Sequence, residues 1–183
     1  MPGMGFAEHL ERFFPDRSHA VIAPVRADVE QRLPGFRVLR VAPGGTGQPW
    51  IYATCGAAQG AEGAEYVLLA PGADAAIVEM LAALATLNAD APTGIGVGSI
   101  IALGRSWTAS SWARHVLVLP PYPFPAEFAV CEEEGERRIV VLWLVPILAV
   151  EAQYAREHGY EALEQLIETR AANLADPARA PVV

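Results

Sequence analysis

The chain has 183 residues, enough for one domain that buries roughly two-thirds of the surface its unfolded form exposes, so it needs no disulfide or metal to fold. It is 52% hydrophobic, contains no lysine and sets 13 arginines against 21 acids for a net charge of -8; its only adjacent basic pair, Arg137-Arg138, directly follows Glu132, Glu133, Glu134 and Glu136, which disfavours nucleic-acid binding. The longest apolar run, Ile139 to Val150, is 12 residues and contains Pro146, short of the roughly 20 that a membrane span needs.

In chain order, Phe6, Leu10, Phe13 and Phe14 recur at helical spacing until Pro15, predicting a helix near 5 to 14. This N-terminus carries Glu8 and Glu11 where a signal peptide is uncharged, so a cytoplasmic protein is expected. Residues 16 to 34 are ambiguous. GFRVLRV at 35 to 41, WIYATC at 50 to 55 and EYVLLA at 65 to 70 read as strands between turn-rich or small-residue segments. Asp74 can cap a helix that lines one face with Ile77, Met80, Leu81, Leu84 and Leu87 and ends near Asn88 and Pro92. Strands follow at 99 to 103, 115 to 119 and 139 to 145. The last two are apolar on both alternating faces, which places them centrally, covered on both sides. Two helices, near 148 to 158 and 160 to 170, are divided by Gly159 as a C-cap, with Tyr160, Leu163, Leu166 and Ile167 inward. The tail after about residue 173 is expected to fray. No repeat or linker divides the chain.

Cys55 and Cys131 lie far apart with no CxxC, so both are read as reduced thiols. Strand alternation puts Trp50, Tyr52 and Thr54 on one face and Ile51, Ala53 and Cys55 on the other, among aliphatic neighbours. A reactive cysteine needs a helix N-terminus or a cation to lower its pKa, and Gly56-Ala57-Ala58 supplies neither; a structural role is expected. GIGVGS, 94 to 99, gives GxGxG before a strand rather than GxGxxG opening a helix, so it reads as a turn and not a dinucleotide fingerprint. His9, His19, His115 and His158 have no ligand-like spacing, and no metal or cofactor is expected. His158 beside Gly159 suits a helix C-terminus. Residues 105 to 128 crowd Trp107, Trp112, Tyr122, Phe124 and Phe128 around four prolines. These aromatics can either fill the core or form a preset recognition surface, since aromatic anchors carry much binding energy.

WIYATCGA, EYVLLAP with its helix, HVLVLPPYPFP, and IVVLWLVPI joined to an acidic helix and EHGYEALEQL resemble, in that order, the suppressor of fused domain family from about residue 34 to 169. The resemblance implies an α+β domain, 1 to 183, with a central mixed, largely antiparallel sheet flanked by helices. It also implies protein binding with no catalytic residues to carry over. The homologous animal domain belongs to a Hedgehog-pathway regulator that sequesters a transcription factor. Bacterial members similar to this chain are often single domains proposed as immunity proteins beside polymorphic toxins, so the expected partner is a protein, such as a basic toxin. The expected contact residues are Trp107, Trp112, Tyr122, Phe124, Glu132, Glu133 and Glu134. The alternative is a small-molecule binder or thiol enzyme using Cys55, His115 and the Gly94 to Ser99 loop. A cavity joining those three groups would distinguish it.

Overall fold

The computed structural model describes residues 4–60, 62–91, 94–133 and 137–183. Its helices are α1 (Met4–Phe13), α2 (Ala27–Arg32), α3 (Ala75–Asp90), α4 (Ala149–His158) and α5 (Tyr160–Thr169). The strands are β1 (His19–Ile22), β2 (Arg37–Val41), β3 (Trp50–Cys55), β4 (Glu62–Ala70), β5 (Ile100–Ala102), β6 (His115–Leu119), β7 (Val130–Glu133) and β8 (Arg137–Ile147). A 3-10 turn, Ala126–Ala129, leads into β7.

All eight strands join one sheet in the order β1-β2-β3-β4-β8-β6-β5, with β7 also paired to β8. Every pairing is antiparallel except β4 with β8, so the sheet is mixed and largely antiparallel, within an α+β fold. The apolar run expected at the centre is there. β8 pairs with β4 along one flank, and along the other with β7 over Arg137 to Val140 and then β6 over Trp143 to Ile147. Pro146 is tolerated inside the strand because the β4 ladder has ended by Trp143, leaving one flank open.

Alternation then builds two cores. Ile139, Val141, Trp143, Val145 and Ile147 of β8, with Ile51, Ala53 and Cys55 of β3, face α1, α4 and α5. Leu142 and Leu144, with Tyr52, Tyr66 and Leu68, face α2 and α3 on the other side. Both sheet faces are covered, which is why neither register of β8 could be polar.

The caps are the expected ones. Asp74 accepts the Ala76 N–H at 2.8 Å to open α3. Gly159, at φ +92°, ends α4, and its N–H reaches Ala155 O at 2.9 Å. Leu163 and Ile167 are buried, and Tyr160 and Leu166 pack on the same core. Leu87 departs from expectation, being 49% exposed near the end of α3, which closes at Asp90; Pro92 lies outside the described residues. The ambiguous segment 16 to 34 becomes the edge strand β1 and the short helix α2.

The tail after residue 173 has no helix or strand but is tied to the core by specific contacts. Arg179 donates twice to the fully buried Glu151, at 2.6 and 2.7 Å, and once to Pro146 O at 3.1 Å. Glu151 also accepts from Leu148 N at 2.8 Å and Val182 N at 3.0 Å, so one carboxylate caps α4 and fastens the C-terminus, while Val182 enters the core.

Candidate protein-interaction surface

Cys55 is buried on the α1, α4 and α5 side, as its strand face requires. Burial, followed by the nearby Glu65 carboxylate, pushes its thiol up to about 12, the reverse of what a nucleophile needs. The chemistry of this turn instead centres on Glu65, whose importance sequence reasoning missed. Glu65 is 1% exposed and accepts Thr54 Oγ1 at 2.5 Å, Gly56 N at 2.8 Å, Ala58 N at 3.1 Å and Ala57 N at 3.2 Å. Gly56 supplies the φ of +101° that aims successive amides inward. Arg137 closes the outside of the turn, donating to Ala58 O at 2.7 Å, Gly60 O at 3.1 Å and Glu133 at 2.9 Å. Burial raises the Glu65 carboxyl while these hydrogen bonds oppose the rise. Every acceptor site is aimed at protein donors, so this is a structural lock.

The groups of the thiol-enzyme alternative do not meet. Cys55 continues the β3–β4 register to the level of Glu65, which pairs with Val141, whereas His115 pairs with Ile147. That step along β8 alone spans about 20 Å. His115 is a half-buried imidazole whose pKa is lowered by desolvation and then by Arg156. The 94 to 99 loop is a tied turn: Ile95 bridges the Tyr66 hydroxyl and the Asn88 side chain, and Gly98 N reaches Val118 O at 2.8 Å. The Tyr160 ring lies where a Cβ on Gly98 would stand, so that glycine is needed for packing rather than for phosphate approach. Among the described residues no cluster of His, Cys, Asp or Glu could hold a metal ion. His158 Nδ1 lies 3.1 Å from Tyr154 O in the last turn of α4.

The contact residues expected from sequence divide. Trp107 is 3% exposed in the α3-side core, with its indole N–H satisfied by Ser111 Oγ at 2.8 Å. Phe124 is half-buried, stacked on Phe128 with centroids 4.5 Å apart. Trp112 and Tyr122, by contrast, are 78% and 62% exposed. They flank opposite ends of β6, so they do not make one patch. Glu132 is exposed opposite Arg138, Glu133 is paired with Arg137, and Glu134 lies outside the described residues. The acid run is therefore partly neutralised by the arginines that follow it across the β7–β8 hairpin.

Among the described residues no helix is long and apolar enough to cross a membrane. A family model for the suppressor of fused protein matches residues 34–180. A solved suppressor of fused homolog from Neisseria gonorrhoeae is 26% identical, superposes with a TM-score of 0.89, and is matched over 100% of this chain and 97% of its own. The structure of a Sufu–Fu complex matches at 12% identity and TM-score 0.71, over 99% of this chain and 93% of that one. Drosophila suppressor of fused matches at 14% identity and TM-score 0.69, over 99% of this chain and 52% of its own, so this chain spans about half of that protein. No curated protein sequence matches the chain.

Proposed function

The chain belongs to the suppressor of fused family, and from that membership we propose that residues 1 to 183 act as one non-enzymatic domain that binds and occludes a protein partner. The observation that carries this reading is the family match, which covers every strand of the sheet except β1. It is supported by the relative solved as a Sufu–Fu complex and by the solvent-exposed aromatics Trp112 and Tyr122, which cost the free protein apolar exposure and suit anchoring roles. The finer reading is a basic toxin neutralised by occlusion. It draws on the resemblance to single-domain bacterial members and on the net charge of -8.

The test is recovery of a partner from the native host by cross-linking and mass spectrometry, followed by reconstitution from purified components. A stoichiometric complex weakened by Trp112→Ala or Tyr122→Ala, with the fold intact, supports the reading. Failure to recover any protein above a bait-free control overturns it.

A further inference from the structure

An apolar groove of about 530 Å³ lies between α5 and the end of β6. Leu119, Trp143, Ile167 and Leu174 line its floor, Tyr122 stands on one rim, and Glu161, Glu164 and Glu168 form the other. The glutamates are three and four residues apart and so share one face of α5. A second groove, about 560 Å³, continues past the same Trp143 and Leu174 along the tail, adding Leu69 and Asp176. Among the described residues that line either groove, none is basic.

These acids differ from the five that are seen with an arginine partner among the described residues. Glu30, Asp28, Asp90, Glu133 and Glu151 each have an arginine in contact, whereas Glu161, Glu164 and Glu168 take part in no ion pair among the described residues. Glu164 Oε1 is enclosed without a hydrogen-bond partner although the Tyr122 phenol bonds to the same carboxylate, so the free domain satisfies this group only in part. Like charges one turn apart also destabilise a helix, so this row is a cost to the free protein that a cationic ligand would relieve. Desolvation, then the charge of Glu164 and the hydrogen bond to it, and last the Glu168 carboxylate push the Tyr122 phenol upward, consistent with a negative rim.

We propose that this groove seats a basic linear segment of the protein partner, with apolar side chains against Trp143, Ile167 and Leu174 and arginine or lysine against Glu161, Glu164 and Glu168. The inference rests on the protein-binding reading above and adds where the partner docks and what chemistry it presents. Arginine suits the site, because its planar fork can meet Glu164 with paired hydrogen bonds while its stem lies on the apolar floor.

The probe is a short synthetic peptide alternating leucine and arginine, compared with its leucine–glutamate counterpart by fluorescence anisotropy and by shifts in the amide and indole resonances of the labelled protein. The arginine peptide should bind, shift Trp143, Ile167 and Leu174, and lose affinity at high salt. Replacing Glu161, Glu164 and Glu168 together with glutamine should weaken it at least about tenfold. The same charge change made at Glu11, Glu62 and Glu157, away from the groove, should have little effect. Absence of binding, equal binding of the glutamate peptide, shifts confined to other surfaces, or an unaffected groove variant would each overturn the inference. A native partner still recovered in that case would leave the protein-binding reading standing, whereas failure of that recovery removes the broader reading by itself.

Discussion

Two sets of glutamates in this domain lead opposite lives. Glu65 lies in a cradle of backbone amides at one end of the sheet, every oxygen engaged by the protein itself. Glu161, Glu164 and Glu168 line a groove with an apolar floor and, among the described residues, no cation. The same side chain thus holds the fold in one place and is available to a ligand in the other. What separates them is how fully the chain supplies the donors: every Glu65 oxygen is engaged, whereas Glu164 keeps an oxygen with none.

The comparison breaks most severely if the sheet centre is misjudged. Leu144→Asp puts an unpaired carboxylate into the α3-side core between β6 and β4, and the domain should fail to fold, seen as loss of the cooperative thermal transition. Next in size is the tail clasp. Arg179→Ala leaves Glu151 buried and unpaired and should cost about 3–5 kcal/mol in urea unfolding, whereas a fraying tail would make the substitution neutral. Glu65→Ala orphans the Thr54 hydroxyl and three amides and should cost about 2–4 kcal/mol, with faster hydrogen exchange at Gly56, Ala57 and Ala58. Replacing the α5 glutamates with glutamine should change stability little or raise it slightly, because like-charge repulsion is removed and no donor is orphaned. A marked loss of stability there would make those residues structural too.

Cys55 gives a smaller, pH-dependent effect. Its folded-state pKa is raised from 9.0 to about 12, so the thiol is protonated in the fold when it would ionise in the unfolded chain. Stability is therefore fully present below the unfolded value and falls as pH rises through that window. Unfolding midpoints at about pH 8 and about pH 10 should differ in that direction, and less so in Cys55→Ser. Rapid modification of the native thiol at neutral pH would contradict its burial.

The sequence made β3, β6 and β8 legible because alternation and apolar runs are local signals, and Cys55 could be assigned to its face on that basis alone. Glu65 was invisible as a lock, since its donors come from a turn seven to eleven residues earlier and only folding brings them round it. Trp107 and Trp112 illustrate the same limit. They lie five residues apart in one loop, yet only Trp107 finds a core and an indole acceptor, so residue type could not separate them. The acidic run at Glu132 to Glu136 drew attention by its density. Its first two residues turn out to face Arg138 and Arg137 across the β7–β8 pairing, while the sparser acids of α5 have no ion pair among the described residues. Helical spacing alone could have flagged Glu161, Glu164 and Glu168 as one face, but their apolar floor comes from β6, β8 and the tail. The tail reads as frayed in sequence because its anchors, Arg179 and Val182, meet Glu151 of a different element.

The most direct test is to place a photo-reactive phenylalanine analogue at Tyr122, on the rim of the groove, and irradiate the native host. The account expects a covalent adduct with a protein, cross-linked within a lysine- or arginine-bearing segment and lost when Glu161, Glu164 and Glu168 are replaced with glutamine. No protein adduct at Tyr122, or an adduct indifferent to those glutamates, would contradict it.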